Sequence, residues 1–203
     1  MLPVTPIVRL LLIANVAGYG LQWLTDQRIT VLLALWPPLG DAESASLFHV
    51  WQLVTHAFMH DPSNLLHLFS NMFALWMFGP DVERLFGPRR FLIYFFTCVI
   101  GAALAQIGVD ALTTAPSGPM LGASGGVFGL LLAFGLAFPR RKLMLLFPPI
   151  PMPAWLFVTL YGVFELMLGL TGTADKIAHF AHLGGMAAGF LLILVWRRNL
   201  RPL

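Results

Sequence analysis

A chain of 203 residues, 58% hydrophobic and 10% charged, is not a soluble globular domain, in which about a quarter of the residues carry charge. It is an integral membrane protein with little length left outside the bilayer. The net charge of +3 and isoelectric point near 9.5 do not indicate nucleic acid as a partner, because the cytoplasmic loops of membrane proteins are basic on their own account.

A spanning helix needs about 20 apolar residues to cross about 30 Å of hydrocarbon. Six runs meet or approach that length: residues 6–24, 62–80, 91–109, 124–138, 153–170 and 177–196. The second is expected to stop at Gly79-Pro80, the fourth at Pro139. No internal repeat or linker interrupts the chain, so residues 1–203 read as a single all-α polytopic domain. The first run leads into Gln22-Trp23-Leu24 without a small-x-small cleavage site, so no removable leader is expected. Cys98 is the one cysteine, which excludes an intrachain disulfide.

Charge sets the orientation. Arg9, Arg84, Arg89, Arg90, Arg140, Arg141, Lys142, Arg197, Arg198 and Arg201 flank one side, against Arg28 and Lys176 on the other. The positive-inside rule then puts both termini in the cytoplasm. The segment 25–61 faces outside, and its Trp36-Pro37-Pro38 and Phe48-His49-Val50-Trp51 suit the headgroup region. From Ser124 to Pro139 the fourth run is too short to cross. With its basic end pinned, Ser124 is submerged and residues 115–123 dip into the membrane. Non-helical backbone at that depth must be buried in protein or line water, so a water-filled cavity is expected there.

Three polar groups mark this cavity. In Leu121-Gly122-Ala123-Ser124-Gly125-Gly126-Val127-Phe128-Gly129, Ser124 falls in a first helical turn, among N–H groups without intrahelical partners. Gly125 and Gly129 form a small-xxx-small pair that admits a neighbouring helix. In the second run His67 and Asn71 are four apart and share a face. In the sixth, His182 shares a face with Gly185 and Gly189, a second small-xxx-small pair, while its competitor His179 lies off that face. Histidine is the usual base for a serine nucleophile. Runs two, four and six all start outside, so His67, Ser124 and His182 sit at similar depth on one side. Glu165 lies mid-membrane in the fifth run with no role assigned, and His56 and His60 read as structural. No His, Cys or acidic spacing suggests a metal, and no cofactor is implied.

Gly122-Ala123-Ser124-Gly125, His67-x-x-x-Asn71 and His182 with Gly185 and Gly189, in this order over six helices with a long first loop, resemble the rhomboid intramembrane serine proteases of the bacterial six-helix type. The resemblance implies Ser124 as nucleophile and His182 as base, a dyad without a carboxylate. The oxyanion would be held by His67, Asn71 and the backbone N–H groups of Ala123 and Ser124. It also implies transmembrane protein substrates, membrane lipids as surroundings and a bacterial inner membrane as location. Two positions depart from the family pattern: Gln52 follows Trp51 where many members have arginine, and Phe128 stands where many have a tyrosine that stacks on the histidine. Two rival classes share the pattern: a non-catalytic rhomboid-like protein that binds transmembrane segments, and a small transporter, which would need polar groups on both sides of the midplane.

Overall fold

The computed structural model describes residues 3–38, 42–112, 118–144, 150–171 and 179–199. Residues 115–117, Asp175, Lys176, the expected start of the sixth run at 177, and Arg201 lie outside the described residues. Nine α-helices are described: α1 (Pro6–Leu24), α2 (Arg28–Leu33), α3 (Ala42–Leu47), α4 (Gln52–Thr55), α5 (Leu65–Phe86), α6 (Pro88–Asp110), α7 (Ser124–Ala137), α8 (Ala154–Thr171) and α9 (His179–Asn199). Four of them, α1, α6, α8 and α9, are long and apolar enough to cross a membrane. With α5 and the short apolar α7, they account for the six runs. A two-stranded antiparallel ribbon, Lys142–Met144 with Pro151–Pro153, follows α7.

Helix α7 is the centre. Ten of its 14 residues are buried, and α5, α6, α8 and α9 all pack against it. Large apolar side chains on the outer helices, among them Ile13 and Trp23 of α1 and Phe164 and Met167 of α8, are instead exposed, as suits surfaces solvated by lipid. At about 1.5 Å per residue α7 spans ~21 Å, short of the ~30 Å a lone spanning helix must cross. Its enclosure by longer helices is what makes that length tenable.

The second run does not stop at Gly79-Pro80. Helix α5 carries Pro80 in its interior and ends at Gly87, whose φ of +77° suits a residue without Cβ, and Pro88 opens α6 at the position proline favours. Proline costs α5 one internal hydrogen bond. The compensation lies three residues on. Glu83, 3% exposed, accepts the N–H groups of Ile7 (3.1 Å) and Val8 (2.9 Å) and the hydroxyl of Thr5, so a carboxylate from α5 caps the first turn of α1. Glu83→Ala strands these donors and is expected to cost ~1–3 kcal/mol. The check is a lowered Tm with unchanged activity per folded molecule.

The basic helix ends gather at one end of the bundle. Arg141 Nη1 lies 2.7 Å from Asp81 Oδ2, the Arg90 guanidinium sits 5.8 Å from the Trp196 ring centre, and Arg84 donates to the Pro3 carbonyl. At the other end, Leu35 clusters with Met120, just before α7, and with Ala181 in the first turn of α9, and Asp61 N–H meets His67 in the first turn of α5.

Candidate active site

Helix α7 begins directly after a backbone turn at Gly122, whose φ is +122°. Any side chain there would be strained, and a Cβ would also lie 2.8 Å from His67 Nε2. Glycine therefore lets the His67 ring close over the turn that delivers Ser124. The turn is anchored on two sides: the Gly122 N–H donates to the His56 carbonyl (3.0 Å), and Met120 and Leu35 exchange backbone hydrogen bonds of 2.8 and 2.9 Å.

Ser124 Oγ lies 2.9 Å from His182 Nε2, a contact spanning 58 residues of sequence. His182 is held flat against Phe128, with ring centres 4.1 Å apart and planes at 8°. Tyr161 stacks on the far face of Phe128 at 5.2 Å. Phe128 thus keeps the stacking ring that the sequence pattern left open and lacks only a hydroxyl. His182 Nδ1 lies 2.9 Å from Glu165 Oε2, and the same oxygen lies 2.7 Å from His179 Nδ1. The carboxylate was not anticipated: Glu165 stood alone mid-helix, and nothing local in α8 names its partners in α9.

His67 Nδ1 accepts the Asp61 N–H at 3.3 Å, which leaves its Nε2, the nitrogen beside Gly122, as the proton-bearing donor. Asn71, 5% exposed, donates Nδ2 to the His67 carbonyl at 2.9 Å. That bond uses one of the two N–H groups on the nitrogen and leaves the other for a ligand. Ala123 is fully buried immediately before α7, and the first N–H groups of α7, Ser124 included, have no intrahelical acceptor. Together these groups make a hydroxyl beside a base and, around it, N–H donors of the kind that stabilise an oxyanion.

Two small-xxx-small pairs, one on the fourth run and one on the sixth, predict a close approach of α7 and α9 through all four glycines; the contacts differ from that in one respect. A Cβ on Gly185 would meet the Gly125 carbonyl oxygen at 2.3 Å, so this glycine does join α9 to α7. A Cβ on Gly189 would meet Tyr94 Oη at 2.4 Å, and one on Gly125 or Gly129 would meet Ala102 or Cys98, all residues of α6. Tyr94 fills the gap, donating to the Gly129 carbonyl at 2.8 Å. Gly101 and Gly184, which carry the close α6–α9 contact, had no signal in the spacing used to find the others.

Gln52, the other departure from the family pattern, is fully buried and uses its whole amide. Oε1 accepts from the Trp36 and His49 N–H groups at 3.3 and 3.2 Å, and Nε2 donates to the Leu32 and Leu47 carbonyls at 3.1 and 2.9 Å. His56 and His60, in the same segment outside the spanning helices, are buried too. Burial pushes the His56 imidazole down to about 4 against a bond to the Gln52 carbonyl. Burial, then repulsion from His67, pushes His60 down to about 3. Both are neutral in the folded protein where unfolded histidines titrate near 6.5. Between these values the unfolded chain binds more protons, so their contribution is complete above pH ~6.5 and is lost as pH falls towards ~4 and below. Melting temperatures measured across that window should fall steadily with acidification, and His56→Gln should remove part of the slope.

A family model described as a rhomboid domain matches residues 47–199. The chain is 34% identical over 140 residues to rhomboid protein 1, mitochondrial, of Saccharomyces cerevisiae, covering 68% of this chain and 40% of that protein. It is 32% identical over 204 aligned positions to RHOMBOID-like protein 12, mitochondrial, of Arabidopsis thaliana, covering 93% and 56%. To the rhomboid protease GlpG of Yersinia pestis it is 25% identical over 194 residues, covering 96% and 64%. The chain thus spans from 40% to 64% of the length of these relatives.

Proposed function

Because the chain belongs to the rhomboid family, we propose that it is an intramembrane serine endopeptidase, hydrolysing peptide bonds in or beside transmembrane segments of other membrane proteins. The observation that carries this reading is the 2.9 Å approach of Ser124 Oγ to His182 Nε2. Ser124 attacks the scissile carbonyl carbon while His182 takes its proton, and the new oxyanion accepts hydrogen bonds from His67 Nε2, Asn71 Nδ2 and the N–H groups of Ala123 and Ser124. The proton on His182 passes to the leaving amine, and water then releases the acyl group by the same route in reverse. No metal or cofactor takes part.

The whole of residues 1–203 acts as one rhomboid-type transmembrane domain in a bacterial inner membrane, its basic end and both termini cytoplasmic and its serine opening to the other side. The basic clusters at one end of the bundle support this orientation.

Reaction with a fluorophosphonate probe tests the reading. The wild-type protein should be labelled and Ser124→Ala should not. A folded wild-type protein that resists the probe, or a Ser124→Ala variant labelled as strongly, would leave a segment-binding protein without proteolysis as the better description.

A further inference from the structure

The catalytic steps above leave unused a buried carboxylate that touches the base. Helix α8 buries little of itself, and Glu165 is its one buried polar side chain. A carboxylate at this depth is costly unless its charge is matched. Here one oxygen, Oε2, receives Nδ1 of His182 at 2.9 Å and Nδ1 of His179 at 2.7 Å.

We propose that Glu165 is a positioning residue for catalysis, extending the Ser124–His182 pair to a Ser–His–Glu relay in which His179 anchors the carboxylate. This rests on the dyad reading of the preceding subsection and goes beyond it. With Nδ1–H donated to Glu165, His182 must present the lone pair of Nε2 to the Ser124 hydroxyl, the tautomer a general base needs. As Oγ bonds to the carbonyl carbon, the Oγ–H bond breaks and its proton moves to Nε2. The positive charge then spread over the imidazolium faces the Glu165 carboxylate across Nδ1–H, which keeps its proton on nitrogen. When the C–N bond breaks, the Nε2 proton leaves with the amine. Glu165 stays ionised throughout.

The placement is rigid. Tyr161 lies one turn before Glu165 on α8 and stacks on Phe128, which stacks on His182. One face of α8 therefore sets the plane of the imidazole through Phe128 and its rotation within that plane through Glu165. His179 lies one turn from His182 on α9, and its bond keeps the carboxylate from turning away. The donor atoms of Glu165, His179 and His182 cluster within 4.8 Å, yet the 2.7 and 2.9 Å separations are those of hydrogen bonds. Ligand atoms on a tetrahedral zinc stand roughly 3.3 Å apart, wider than these two contacts.

The competing account is that Glu165 only ties α8 to α9. Glu165→Gln separates the two, because it keeps the shape and an acceptor oxygen and removes the charge. The proposal expects kcat for a model transmembrane substrate to fall ~10²-fold or more, with KM and Tm unchanged and the rate of fluorophosphonate labelling lowered in parallel. Wild-type kcat in folded Glu165→Gln, or a loss matched by the fraction unfolded, overturns it. Wild-type protein labelled with ¹⁵N-histidine gives a second test that does not depend on how Glu165→Gln folds. The His182 Nδ1 proton should resonate downfield of ordinary imidazole N–H signals and vanish in His182→Ala, and a signal at the ordinary position overturns the proposal. Ser124→Ala and His182→Ala run alongside. If those are silent while Glu165→Gln is fully active, only the relay fails; if they turn over normally, the dyad itself fails.

Discussion

Ser124→Ala and His182→Ala should each bring cleavage of a transmembrane substrate to background, a loss on the order of 10⁶-fold in kcat where a serine nucleophile and its base act as a unit. The two losses should not add. Without the hydroxyl there is nothing for His182 to deprotonate, and without His182 the hydroxyl is a poor nucleophile at neutral pH. The double variant should be no worse than either single one. His179 is not placed to stand in for His182, since its Nδ1 is held by Glu165 at 2.7 Å and the 2.9 Å contact to Ser124 belongs to His182. Cleavage of the same substrate by the three purified variants, each checked for folding by its melting curve, decides the matter. Normal turnover in either single variant would mean that the hydroxyl and imidazole meet for structural reasons alone.

Gly185→Val should cause a large loss while leaving every reacting group in place. A Cβ at this position would stand 2.3 Å from the Gly125 carbonyl oxygen and 2.9 Å from its carbon. Both are backbone atoms of the first turn of α7, so no side chain can swing aside and α9 itself must move. Gly185 is one turn beyond His182, and Gly125 follows Ser124, so the displacement falls directly on the distance between hydroxyl and imidazole. A shift of ~1 Å in such a pair can lower the rate ~10²-fold, and overpacking adds ~1–3 kcal/mol of destabilisation. Gly20→Ala is the control, since a Cβ there meets nothing within 4 Å. Activity and Tm of the two variants, measured side by side, should diverge sharply. Wild-type behaviour in Gly185→Val would show that α7 and α9 have slack at this contact.

The sequence was legible wherever a physical rule acts along the chain. Membrane thickness sets the length of an apolar run, so α1 coincides with the expected 6–24 and α6 to α9 fall within a few residues of their runs. Glycines at four-residue spacing mark a helix face, and that face singled out His182 over His179. What stayed hidden depends on rotation and packing between helices. Which helix a glycine meets cannot be read from its own spacing, so Gly189 reads as facing α7 when it faces Tyr94 of α6. Pro80 reads as a stop because the rule for proline is local. Helix α5 continues because its next turn reaches α1 through Glu83. Glu165 looked isolated for the same reason: both of its partners lie on the following helix.

The four hydrogen bonds of Gln52 have a kinetic corollary. They join backbone groups at Leu32, Trp36, Leu47 and His49 to a single side chain, and the carbonyl of His56, one turn further on, holds Gly122 beside the serine. Breaking one of these bonds leaves the amide's other contacts in place and gains little freedom; losing the amide's seat releases all of them together. These four backbone groups are therefore expected to be released together rather than one by one. The amides of Trp36 and His49 share one opening event, and their hydrogen exchange should report a single free energy.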